Sequence, residues 1–123
     1  MEKEDYLETI YNLKLEFGVV RISDIAKTLD ISKPSVTQMM QRLDKDGLVV
    51  YKPYFPMVLT IKGLKIAKKV AERHQVLAEF FTLLGIPMVI QRRDIHGIEH
   101  FLSPLTLKRL KSVLEFLKEK KFR

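Results

Sequence analysis

The chain has 123 residues, which gives one or two small domains a modest core and leaves little for an enclosed enzyme cleft. Its 46% hydrophobic and 30% charged residues describe a globular protein, and zero cysteines exclude disulfides and thiolate metal sites, so a bound metal would be held by nitrogen, oxygen or methionine sulfur. Net charge is +7 but uneven: residues 1–60 hold 8 Lys and Arg against 9 Asp and Glu, and residues 61–123 hold 14 against 6. No apolar run approaches the roughly 20 residues of a membrane span. The acidic, polar start MEKEDYLETI is unlike a signal peptide, so the expected setting is cytoplasmic, with no membrane partner.

Residues 2–16 are expected to be helical, with the apolar stripe Tyr6, Leu7, Ile10 and Leu13 continuing to Phe17 and ended at Gly18. Asp5 and Glu8 lie three apart on one face of that helix. Taken alone, acidic residues in a first turn read as complements to the helix dipole. Ile22, Ile25, Ala26 and Leu29 then predict a helix of two to three turns, with Ser23 and Asp24 as polar starters. Leu29-Asp30-Ile31-Ser32 breaks it. Ser32 is the expected N-cap of the next helix, and Pro34 falls in its first turn, where a missing amide costs nothing. Val36, Met39, Met40 and Leu43 form the inner face of that helix up to Gly47, while Ser35, Thr37, Gln38, Arg42 and Lys45 face outward. Two helices in this order make a helix-turn-helix.

Leu48 to Tyr51 and Met57 to Leu59 are strand formers separated by Pro53-Tyr54-Phe55-Pro56, which predicts a two-stranded wing. Thr60 is placed to cap a long helix over residues 61–84, striped by Leu64, Ala67, Val70, Ala71, His74, Leu77, Ala78 and Phe81. A histidine on such a face is ordinarily a packed residue. With little of its own domain to cover it, that stripe predicts a dimer contact. Lys62, Lys65, Lys68, Lys69 and Arg73 at its start would suit phosphate contacts. Gly85-Ile86-Pro87 closes the helix.

The segment DIHGIEH follows, placing His96, Glu99 and His100 at i, i+3 and i+4, so that three metal-binding groups share one helical face. Ser103-Pro104 starts a last helix with Leu107, Leu110, Val113, Leu114 and Leu117 inside, and the lysine-rich end Lys118, Lys120, Lys121 and Arg123 suits the dipole. The fold class is therefore mainly α: an N-terminal winged helix-turn-helix over residues 1–62, followed by an all-helical dimerisation domain over residues 63–123.

EDYLETIY at Glu4, SDIA at Ser23, SKPSVTQMMQRLDKDGLVVY at Ser32, LTIKG at Leu59, ERH at Glu72 and GIEHFLS at Gly97 follow one another in an order that resembles the diphtheria-toxin-repressor family of metal-dependent transcriptional regulators, in its manganese-transport-regulator branch. The resemblance covers essentially the whole chain. It implies a homodimeric repressor that reads double-stranded operator DNA and takes Mn(II) or Fe(II) as corepressor. The implied metal ligands are Asp5, Glu8, His74, His96, Glu99 and His100. His96 departs from the pattern, which has glutamate in manganese-type and cysteine in iron-type members; imidazole there also admits Co(II), Ni(II) or Zn(II).

By position in the family, Pro34 and Gln38 are expected at base edges, where Gln suits adenine and Pro a thymine methyl. Ser32, Ser35, Thr37 and Arg42 are expected at the DNA backbone. The resemblance implies no small-molecule substrate and no catalysis. Three other classes fit parts of the sequence: a metal-independent winged-helix regulator responding to a small molecule, a zinc hydrolase using His-x-x-Glu-His, and a protein-binding winged helix.

Overall fold

A computed structural model describes residues 3–120, so Lys121 and Arg123 lie outside the described residues. Its elements are α1 (Lys3–Phe17), α2 (Ile22–Leu29), α3 (Lys33–Lys45), β1 (Val49–Val50), β2 (Val58–Leu59), α4 (Ile61–Leu83), α5 (Met88–Ile98), a 3-10 turn (Glu99–Phe101) and α6 (Pro104–Glu119). The chain divides into two units, Met1–Lys69 and Val70–Arg123. No helix among the described residues is long and apolar enough to cross a membrane.

In the first unit, Tyr6, Leu7, Ile10 and Leu13 of α1 pack with Ile25 and Ala26 of α2 and with Val36, Met40 and Leu43 of α3, closed by Leu48, Val49, Met57 and Ala67. Burying each of the larger aliphatic side chains contributes about 1.5–3 kcal/mol. Phe17, counted in the expected stripe, is instead 65% exposed, because it is the last residue of its helix and the core is already closed above it. The turn of the helix-turn-helix is made by Asp30 in the left-handed region, φ 55°. Ser32 caps α3 by accepting the Ser35 amide at 3.2 Å, as the Ser-Lys-Pro sequence predicts. At the other end of α3, Gly47 takes φ +75° and lets the Leu48 amide return to the Leu43 carbonyl at 2.8 Å.

The wing is antiparallel, with Val49 opposite Leu59 and Val50 opposite Val58, and it is shorter than the run of strand formers suggests. The Thr60 amide on the Leu48 carbonyl at 3.1 Å makes Val50–Val58 a hydrogen-bonded pair, so the next would be Lys52–Pro56; Pro56 has no amide to give, and the Lys52 carbonyl takes the Phe55 amide at 3.1 Å instead. The amides of Tyr51 and Met57 point out of the ladder, to the Asp44 carboxylate and the Val20 carbonyl, each at 2.8 Å, and anchor the base of the wing. Thr60 caps α4, accepting the Gly63 amide at 3.1 Å while donating to the Gly47 carbonyl at 2.6 Å. Gly63 has no alternative: a Cβ there would stand 2.0 Å from the Leu48 carbonyl oxygen.

The second unit contains the later part of α4, from Val70 on, followed by α5 and α6. Val70, Val76, Leu77, Ile95 and Leu114 are buried, whereas Val113 of the expected α6 face is 47% exposed. Gln91 is buried and donates to the Ile86 carbonyl at 2.8 Å, tying α5 to the turn before it. Ser103 caps α6 through the Thr106 amide at 3.1 Å. Lys111 donates to Glu72 at 2.8 Å and Lys118 to Glu79 at 3.4 Å, exposed pairs that register α6 on α4 while adding little stability. A hydrogen bond from Gln75, then that of Lys118, holds the Glu79 carboxyl below its ordinary range.

Candidate metal centre and DNA-reading helix

The chain has 3 histidines, and the second unit gathers all of them around one carboxylate, that of Glu99. Glu99 is 2% exposed. A carboxylate so enclosed is costly unless charge or hydrogen bonds meet it. Its Oε2 lies 3.3 Å from Nδ1 of His74, and its Oε1 lies 3.7 Å from Nε2 of His100. The first distance is a long hydrogen bond; the second exceeds one. The ligand atoms of His96, Glu99 and His100 lie within 4.8 Å of one another, and the rings of His96 and His100 meet edge-on, with centroids 6.1 Å apart and an interplanar angle of 88°.

The backbone places these groups differently from the single helical face expected. α5 ends at Ile98, and Glu99 and His100 sit on the 3-10 turn. The tightening has a local cause: Leu102 and Ser103 must be extended to enter α6 at Pro104, so the helix cannot run on through them. Arg73 fixes the turn from α4, its guanidinium donating to the Glu99 carbonyl at 3.4 Å. Arg73, expected among the phosphate-facing residues, is half-buried and donates here. Lys62, Lys65, Lys68 and Lys69 are exposed.

The donor set fits a divalent cation of the first transition row. Two ligand atoms each about 2.1 Å from one ion stand roughly 3–4 Å apart, the range in which both oxygens of Glu99 meet imidazole nitrogens. In the first unit, Asp5 is buried and Glu8 half-buried, on one face of α1. Each is engaged in interactions of its own.

In α3, the residues expected at DNA are laid out along its outer side. Pro34, Ser35, Gln38 and Arg42 are exposed, and Thr37 is half-buried. Ser32 is exposed but spends its hydroxyl on the cap, with its Oγ also 2.8 Å from that of Ser35. Pro34, which has no amide to leave unpaired, sits in the first turn beside it.

The sequence pattern described as "Iron dependent repressor, N-terminal DNA binding domain" matches residues 1–55, and "Iron dependent repressor, metal binding and dimerisation domain" matches residues 60–122. The chain is 43% identical to the HTH-type transcriptional regulator MntR of Geobacillus kaustophilus (strain HTA426), across 94% of this chain and 82% of that one. It is 41% identical to the regulator of the same name from Bacillus subtilis (strain 168), across 94% and 82%. Among solved structures it resembles the manganese regulator SloR, with 26% identity and a TM-score of 0.79, and ScaR with bound zinc, with 28% identity and a TM-score of 0.74. It covers 94% of its own length in both comparisons but only 54% and 55% of those chains, so it spans about half the length of the solved proteins it matches. Matched along both halves of its length, and by relatives this similar, the chain belongs to the iron-dependent repressor family, that of the diphtheria-toxin repressor, in its manganese-regulator branch.

Proposed function

We propose that this chain is a divalent-metal-dependent transcriptional repressor of metal homeostasis, acting in the cytoplasm as a homodimer on double-stranded operator DNA. Residues 1–62 form the DNA-binding half and residues 63–123 the metal-binding and dimerisation half. The observation that carries the reading is the gathering of His74, His96 and His100 around the buried carboxylate of Glu99. Asp5 and Glu8, which occupy the matching positions of the EDYLETIY segment, complete the donor set. Mn(II) and Fe(II) are the corepressors proposed, in keeping with relatives named MntR.

When bound, the cation supplies positive charge and fixed coordination directions. The protein's residues do the rest. Asp5, Glu8 and Glu99 repel one another as anions, so a donor set containing all three is costly without a counter-charge. Because those donors come from both halves of the sequence, filling the set and fixing the arrangement of the reading helices become one linked equilibrium, and operator DNA tightens ion binding by the same factor that the ion tightens DNA binding. Two α3 helices held in a dimer meet half-sites about 34 Å apart. Gln38 and Pro34 then read base edges, while Ser35, Thr37 and Arg42, with the capped start of α3 at Ser32, hold the sugar–phosphate backbone.

The protein is not an enzyme in this reading. The burial of Glu99 suits a ligand rather than a general base that water must reach. Calorimetric titration of chelator-stripped protein with Mn(II) and Fe(II) tests the proposal: saturable binding supports it, and no heat of binding for either ion sinks it.

A further inference from the structure

Between α1 and the base of the wing, wholly within the first unit, lies an apolar cleft that neither the metal centre nor the reading helix uses. Its inner part has a volume of about 250 Å³, bounded by Ile10 and Tyr11 of α1, Leu59 of β2 and Leu64 of α4. Its outer part, about 490 Å³, continues past Val19, Val50 and Phe55. Lys14, Met57 and Val58 border both, so the two parts adjoin. Together they fall within the range of about 300–1,000 Å³ in which small organic ligands are held.

The Met57 amide on the Val20 carbonyl draws the wing against the α1–α2 loop and makes the Met57 side chain a buried wall of the cleft. Val50 and Val58, an opposed pair of the ladder, are 43% and 57% exposed along it. Apolar surface left in water and gathered in a concavity marks a binding groove.

Charge narrows the choice of ligand. Among the described residues no aspartate or glutamate lines the cleft, and its charged groups are Lys14 and Lys52. The Lys14 ammonium donates to the Gly18 carbonyl at 2.6 Å, which holds it at the C-terminal end of α1. An ammonium has three protons to donate, and this bond takes one. A cation at a helix end also suits the dipole. The dipole does not call for an apolar channel leading away from that cation.

We propose that the cleft binds an aliphatic carboxylate, with its chain along Val58 and Met57 toward Leu64 and its head on the Lys14 ammonium. A lining of isoleucine, leucine, valine and methionine suits a methylene chain, and a rim whose charges are lysines selects an anionic head. This would be a second ligand, separate from the divalent ion and independent of it.

The test uses the full chain, free of metal and DNA, titrated calorimetrically with hexanoate, octanoate, decanoate and 1-decanol below their micelle or solubility limits. Decanoate is expected to bind saturably, one molecule per chain, and each methylene from hexanoate to decanoate to tighten binding about fourfold. Lys14→Met keeps an apolar stem without the charge, and is expected to weaken decanoate about tenfold while leaving 1-decanol unchanged. Leu64→Phe narrows the inner part, and is expected to weaken decanoate more than hexanoate, with far-UV circular dichroism as a check of the fold. Absence of saturable decanoate binding would overturn the proposal, as would equal weakening of decanoate and 1-decanol by Lys14→Met. Uptake of several molecules per chain would make it adsorption, and dissociation of the dimer by decanoate would make the cleft a contact between copies; either result overturns it. Because neither metal nor DNA is present, such a failure leaves the repressor reading standing.

Discussion

Nδ1 of His74 stands 3.3 Å from Oε2 of Glu99, joining α4 to a 3-10 turn twenty-five residues further along the chain. His100 approaches the other oxygen of the same carboxylate. Glu99 thus meets imidazoles from α4 and from its own 3-10 turn.

Glu99→Gln keeps the volume of the buried side chain and removes its charge. Divalent-ion affinity should fall by at least about a hundredfold, beyond the range seen when only a supporting residue is lost. Calorimetry with Mn(II) measures this, with far-UV circular dichroism to check that the fold persists. Affinity within threefold of wild type would remove Glu99 from the centre.

His96 is exposed, so packing does not dictate its identity. His96→Glu replaces an imidazole by a harder oxygen donor and should raise the affinity for Mn(II) relative to Co(II) and Zn(II) by about tenfold. Competition against an ion-sensing dye reads the ratio. An unchanged ratio would mean that this side chain is no ligand and serves only the C-terminal dipole of α5.

Gly63→Ala should destabilise the first unit by about 2–3 kcal/mol, because the new methyl group meets the Leu48 carbonyl, a backbone atom held by the Thr60 amide at 3.1 Å. Urea unfolding of the metal-free protein gives the value. A loss below about 0.5 kcal/mol would show that α4 can move off the Leu48 carbonyl without penalty.

Gln38 and Arg42 should fail differently. Gln38→Ala is expected to cost about 1–3 kcal/mol on the preferred duplex and little on unrelated DNA, since it removes a base contact. Arg42→Ala should weaken both alike and reduce the salt slope by about one. Binding isotherms at several salt concentrations separate the two patterns, and equal losses on all sequences for Gln38→Ala would place it at the backbone.

Much of this is legible in the amino-acid sequence. The helix-turn-helix could be read because Ser32 and Pro34 start α3 by local rules and Val36, Met40 and Leu43 repeat at helical spacing. Thr60 before Ile61 likewise announced the cap of α4. The short ladder has a local cause in Pro56, which has no amide to continue it, whereas the anchors of the wing's base, Asp44 for the Tyr51 amide and Val20 for the Met57 amide, are distant in sequence and not legible there. The tightening of the His96–His100 segment into a 3-10 turn follows from the Ser103-Pro104 start of α6 just beyond it, a local signal that helical spacing alone passes over. Phe17 kept the periodicity of α1 yet fell past the edge of the core, a limit set by packing that periodicity does not record. At the centre, donor types and spacing named His96, Glu99 and His100, while His74 looked like a packed residue until the family resemblance set it apart. The support Arg73 gives to the turn needed three dimensions to see.

Control of DNA binding by a divalent ion at these side chains is read most directly from the affinity of chelator-stripped protein for a duplex selected from a random-sequence pool, by fluorescence anisotropy, with and without saturating Mn(II), in wild type and Glu99→Gln. Mn(II) is expected to tighten wild-type binding by at least about tenfold, the scale of an ordinary coupling free energy, and to leave Glu99→Gln unchanged. Equal affinity of the wild-type protein with and without Mn(II), Fe(II) or Zn(II) would rule out that control.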